Sequence, residues 1–150
     1  MEIEMEACTR VNEWTMIPVD KLVSAIECPF ERQGITKEMV QESIRTGSYG
    51  LASESYSHGT RLPVERSPEW HAQRVAYLVR YGWERPLEID VGIPSVGFAP
   101  YPLQDGHHRL CAAIVRGDTH IRAEVSGALD YAFQLFGVDC SLYGEPEVAC

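Results

Sequence analysis

Asp105, Gly106, His107, His108 and Arg109 stand in immediate succession, and the apolar run Leu110-Cys111-Ala112-Ala113-Ile114-Val115 follows them. An acidic residue and a glycine suit the end of a strand. Two histidines and an arginine then open a short helix. Two imidazoles, a guanidinium and unpaired backbone N–H groups therefore meet at one helix start, where the peptide dipoles leave partial positive charge. Such an end suits phosphate. Arg109 reads as a charge-assisted phosphate contact in preference to a salt bridge with Asp105. Of His107 and His108, one is expected to contact ligand and the other to brace the turn. Imidazole titrates near neutrality, so both are candidate general acids or bases. Asp105 reads as a cap or turn residue, its carboxylate taking N–H groups two or three residues on. Gly106 reads as the residue that permits a positive φ or the close approach of a ligand. His107 and Cys111 lie four apart, with His108, His120 and Cys140 as further zinc ligands by type. No paired-ligand spacing supports zinc and a cysteine in an apolar run is ordinarily core, so no metal ligand is assigned.

The elements that must hold this turn are legible from periodicity and punctuation. Trp14 to Val19 reads as a strand stopped by Pro18, and Asp20 to Ile26 as one or two helical turns. Thr36 to Thr46 reads as a helix capped by Thr36 and stopped at Gly47, with Met39, Val40 and Ile44 inward. Residues 47–66 read as a long polar connection in which Tyr49, Tyr56, His58 and Arg61 can stack on bases, although such loops are more often simply solvated. Ser67-Pro68-Glu69-Trp70 is a strong helix start, and Val75, Ala76, Leu78 and Val79 form the apolar face up to Gly82. Trp70 and Trp83 read as packing residues. Leu87 to Val91 alternates as a half-buried strand. Leu103-Gln104 leads into the Asp105 turn and the helix to Val115, stopped by Gly117. Ile121, Ala123 and Val125 alternate in the next strand, and Ala128 to Phe136 is a final helix. Interleaved strands and helices predict an α/β or α+β fold. One domain over 14–137 is expected, with a flexible acidic lead at 1–13 and a tail at 138–150.

The chain has 150 residues, 45% of them apolar, and a net charge of −9. It is long enough for one domain with a core and too apolar for disorder. No apolar run approaches membrane length. Met1 to Glu6 lacks the positive flank of a signal peptide, and five cysteines without a Cys-x-x-Cys pair suit a reduced compartment. A cytoplasmic protein is expected. The acidic balance would repel long duplex DNA unless a local basic patch overrides it.

From Ile17-Pro18-Val19-Asp20-Lys21-Leu22, through Cys28-Pro29-Phe30-Glu31-Arg32 and Arg85-Pro86-Leu87-Glu88-Ile89-Asp90-Val91, to the Asp-Gly-His-His-Arg motif and Ala112 to Ile121, the chain resembles the ParB/sulfiredoxin-like superfamily, over residues 14–127. The resemblance implies a small mixed sheet with flanking helices and a phosphate-binding loop formed by Asp105, Gly106, His107, His108 and Arg109. Members include partition proteins that bind and hydrolyse CTP, sulfiredoxins that use ATP, free-serine kinases and proteins described as nucleases. Sulfiredoxins carry a nucleophilic cysteine in this loop. Here a histidine stands there, and Cys111 lies a turn inside the helix, so sulfiredoxin chemistry is not expected. Nor is chromosome partition, whose helix-turn-helix and dimerisation domains have no counterpart in this sequence. The histidine pair is closer to the kinase-like and phage-type members, and Glu31 is the positional candidate for a carboxylate base.

The expected function is nucleotide or phosphate binding, with phosphoryl transfer or nucleotide hydrolysis as the accompanying chemistry. The ligand would be ATP, ADP or CTP, with Mg2+, and His107, His108 and Glu31 would be the catalytic residues. A phosphodiester-cleaving nuclease is the alternative, using a basic path of Arg61, Arg66, Arg74 and Arg80, with the net charge counting against it. A non-enzymatic acidic protein that binds a basic protein partner, of the kind phage or mobile elements encode, is a third.

Overall fold

The computed structural model describes residues 14–49, 66–93 and 101–141. The acidic lead, Tyr56, His58 and Arg61 of the long connection, and the end of the tail lie outside the described residues. The elements in chain order are β1 (Thr15–Pro18), α1 (Val19–Ala25), α2 (Pro29–Arg32), α3 (Lys37–Thr46), α4 (Pro68–Tyr81), β2 (Leu87–Asp90), β3 (Leu103–Asp105), α5 (His107–Arg116), β4 (His120–Ser126) and α6 (Leu129–Phe136). This is a mixed α/β fold with a small sheet. The short α2 was not expected, although Pro29 at its first position suits a helix start. No helix among the described residues is long and apolar enough to cross a membrane.

The chain divides into two compact units. The sheet unit contains β1, α1, β2, β3, β4 and α6, and its strands lie in the order β1-β4-β2-β3. β4 pairs antiparallel with β1 and parallel with β2, and β2 pairs antiparallel with β3. The alternation read from sequence sets the register. Ile17 faces Ile121, and Leu87 faces Ala123, so apolar residues share one side and all four are buried. On the other side, Glu88 stands between Glu124 and Asp105. Phe136 and Ala132 of α6 and Leu22 of α1 are buried in this unit as well.

The helical unit contains α2, α3, α4 and α5. Its core joins Phe30, Ile35, Val40, Val75, Ala76, Leu78, Cys111 and Ala112. The start signals act as read. Thr36 accepts a hydrogen bond from the Met39 N–H at 3.1 Å, and Ser67 accepts one from the Trp70 N–H at 3.1 Å. Those two caps fix the phase of α3 and α4, and hence which residues face inward.

Gly127 shows how tightly the end of β4 is built. Its φ is +99°, and a Cβ there would come within 2.7 Å of the Gly92 nitrogen. Gly117 also has a positive φ, +81°, but has nothing within 4 Å of such a Cβ. Gly127→Ala should therefore cost about 1–3 kcal/mol of stability and Gly117→Ala about 1 kcal/mol or less. Urea denaturation of both variants checks this, and equal losses would remove the role assigned to the close approach.

Candidate functional site

The Asp-Gly-His-His-Arg motif is divided between the two units. Asp105 and Gly106 belong to the sheet unit, and His107, His108 and Arg109 open α5 in the helical unit. Asp105 is the last residue of β3, and its Oδ2 lies 3.6 Å from an Arg85 guanidinium nitrogen. Both side chains are about half exposed or more, so this pair contributes little to stability. Gly106 takes φ +114°, a conformation that glycine reaches without a Cβ clash. The strand can thus end and the helix begin within a single residue.

Within the helical unit, the first turn of α5 gathers around an imidazole pair. His71 Nδ1 and His108 Nε2 are 2.8 Å apart, a hydrogen bond, and the two rings stack with 5.1 Å between centroids. The Trp70 ring meets both edge-on, 5.1 Å from His71 and 5.7 Å from His108. The Arg66 guanidinium lies 4.6 Å from the centre of the Trp70 ring. Of the two motif histidines, His108 is therefore the one tied to α4.

The pair constrains its own charge. A hydrogen bond between two ring nitrogens needs one N–H and one lone pair, so protonating the acceptor would set two N–H groups against each other. Burial pushes the His108 pKa down to about 3, and the positive charges of His71, Arg74, His107 and Arg109 push the same way. His71 is lowered too, by burial and then by Arg66. At neutral pH His108 is a neutral hydrogen-bonding group. It lacks the imidazolium proton that a general acid gives, and it is too weak a base to take one efficiently.

The arginines carry the formal charge here. The first turn of α5 contains no acidic residue. Glu31, which the sequence puts forward as a base, is exposed on α2. Cys111 is fully buried within the core, where it accepts a hydrogen bond from Gln33 Nε2 at 3.4 Å, and burial drives its pKa up to about 12. Such a thiol is neither a nucleophile nor a ready metal ligand. Among the described residues no three His, Cys, Asp or Glu side chains converge as a ligand set.

The sheet unit carries an open cleft of about 480 Å³, lined by Glu88, Asp90, Gln104, Glu124 and Ser126 among others. Three carboxylates give it the wrong sign for a phosphate. It is not the anion site expected from the motif.

Sequence reading did not single out His71, and it took Trp70 as packing only. A signal existed. His71, Val75 and Leu78 recur at helical spacing, and Val75 and Leu78 are buried. A histidine in register with an apolar face needs a polar partner when it is buried, and His108 supplies it.

The depressed His108 pKa makes stability depend on pH. The unfolded chain binds a proton at this imidazole near pH 6.5, whereas the folded state does so only near 3. The contribution is fully present above about pH 6.5 and is lost as pH falls toward 3, with a limiting slope of about 1.4 kcal/mol per pH unit for one proton. Replacing the group by an amide, His108→Gln, should flatten the fall in stability between about pH 6 and 4.5. Denaturation across that range measures it, and an unchanged slope would contradict the buried neutral imidazole. In comparisons with protein-family models, curated proteins and solved structures the chain matches none, so its functional reading rests on the residues of this turn.

Proposed function

We propose that the helical unit binds a phosphate group, of the kind a nucleotide carries, at the first turn of α5. One observation carries this reading. The permanent charges that act on His108 are cationic, from Arg74 and Arg109, at a helix start whose own first turn holds no acid. Like charges gathered at the positive end of a helix dipole repel one another until an anion arrives. A phosphate supplies that anion and the acceptor oxygens for guanidinium and backbone N–H donors. The resemblance of the motif and its flanking elements to ParB/sulfiredoxin-like members supports the same ligand.

The roles divide by charge. Arg109 and Arg74 supply formal positive charge, which guanidinium keeps at every physiological pH. His108, held by His71, supplies shape and a fixed tautomer. We assign the donor contact to ligand to His107, the first residue of α5. Magnesium prefers carboxylate, carbonyl and water oxygens, and this turn offers none from its side chains. A magnesium ion would therefore come on the phosphates of the nucleotide, and no step is assigned to it. We assign binding rather than turnover, because His108 lies far from the pKa that proton transfer at neutral pH requires.

Calorimetric titration with ATP, ADP and CTP, with and without magnesium, tests the reading. The account expects saturable heat for at least one nucleotide and a loss of about tenfold or more in Arg109→Ala, the usual scale for a charge-assisted contact. Arg45→Ala, on the exposed face of α3 where Arg45 pairs with Glu42, should leave affinity unchanged. Absence of heat up to millimolar nucleotide, or equal binding by Arg109→Ala, would overturn the assignment.

A further inference from the structure

α4 carries a second pattern, half-buried at Trp70, Arg74 and Tyr77 and exposed at Tyr81, which shares Arg74 with the phosphate turn. Trp70, Arg74, Tyr77 and Tyr81 recur at spacings of four, three and four residues, which places them within about 60° of arc on one helix face. Arg66, just before the cap, lies over Trp70 and extends the row. The side chains of the row are paired. Arg74 lies 5.7 Å from the centre of the Tyr77 ring and Arg80 lies 5.2 Å from that of Tyr81. Tyr77 and Tyr81 are 4.6 Å apart, and Tyr49 meets Tyr81 edge-on at 5.9 Å. A fourth pair, Arg116 over Trp83 at 4.8 Å, belongs to the same unit. Arginine–aromatic pairs of this kind ordinarily occur about once per 70–80 residues. Four in one small unit require an account beyond the packing of a single helix.

Packing supplies part of it, since Tyr77, Tyr49 and Trp83 rest partly buried against the core of the unit. The buried face of α4 is formed by Ala72, Val75, Ala76 and Leu78, whereas Tyr81 is 59% exposed. A tyrosine kept in water beside an exposed arginine buries little apolar area and stabilises the fold little. The same two groups side by side match single-stranded nucleic acid, with rings for the faces of bases and guanidinium for phosphate and base planes.

The whole-chain charge is no objection once it is divided. Residues 27–84 and 107–117, the helical unit, hold nine basic and eight acidic residues, while the rest of the chain holds four and fourteen. The acidity therefore belongs to the sheet unit and the flanking segments. From Arg66 to Gly82 there are three arginines and a single acid, Glu69.

We propose that the arginine–aromatic row of α4 binds single-stranded nucleic acid by stacking and phosphate contact, without base-edge readout. From Trp70 to Tyr81 the row is about 16 Å long, room for about five stacked bases at 3.4 Å each. Stacking tolerates any base because every base has a π face, so little sequence preference follows. A duplex, whose base faces are occupied by their neighbours, offers this row only phosphates. The row uses no α5 residue and shares Arg74 with the nucleotide site, so Arg109 on one side and Arg80 and Tyr81 on the other tell the two proposals apart.

Fluorescence anisotropy with labelled oligothymidylate DNA, oligoadenylate RNA and a duplex, each of about 12 units, at about 50 and 200 mM salt, tests it. The expected result is binding of both single strands in preference to duplex, weakening with salt. Tyr81→Ala and Arg80→Ala should each weaken single-strand binding roughly tenfold, and Tyr81→Phe should retain it. Both side chains are exposed, and unchanged melting temperatures would show that the variants are folded. Arg109→Ala should weaken nucleotide binding about tenfold or more while leaving oligonucleotide affinity within about twofold, which separates the two proposals. Absence of binding, equal binding of duplex and single strand, or affinity indifferent to Tyr81→Ala would overturn the row.

Discussion

A hydrogen bond between two imidazoles, His71 Nδ1 to His108 Nε2 at 2.8 Å, fixes the chemistry of the helical unit. It joins the first turn of α4 to the first turn of α5, and it works only while the nitrogen that accepts is unprotonated. Burial, with the neighbouring positive charges, depresses the pKa of His108, and together with this bond makes it unsuited to proton transfer near neutrality. The bond also assigns the electrostatics of the turn to arginine. A site built on charged histidines would lose its anion as pH rose through 6.5. A site built on Arg74 and Arg109 around a neutral pair keeps its positive charge throughout that range.

The pair in turn depends on helix phase. Ser67 and Pro68 set where α4 begins, and Gly106, at φ +114°, sets where α5 begins. A shift of one residue in either start rotates the histidine by about 100° and separates the rings. Two turn-forming signals that look merely structural in the sequence therefore position the His71–His108 pair. The phase of α4 has a second consequence. The arc that places His71 beside Val75 and Leu78 leaves Trp70, Arg74, Tyr77 and Tyr81 together on the other side.

Much of this was legible before the structure. The caps Thr36 and Ser67, the stops at Gly47, Gly82, Gly117 and Gly137, and the alternating strands at Leu87 and Ile121 all predict elements within a residue or two of those observed. Local chemistry decides such features, so local sequence reveals them. The pairing of His71 with His108 spans 37 positions and depends on how two helices pack, which no local pattern encodes. The division of charge was likewise hidden. A net charge of −9 describes the chain as a whole, and only the assignment of segments to two units shows that the helical one is almost balanced. Asp105 illustrates the same limit: its place beside glycine marks the end of a strand, but not its pairing with Arg85, 20 positions away.

The central claim is that a phosphate settles beside a neutral, hydrogen-bonded His108 in a cationic surround. Histidine-selective NMR titration of the protein alone and saturated with ADP tests both halves in one experiment. Without ligand, His108 should remain neutral through the acid range and titrate near 3. With ADP bound, the anion favours the protonated form, so its pKa should rise while the His107 signal shifts. A His108 that titrates near 6.5 in the free protein and does not move with ADP would contradict the account.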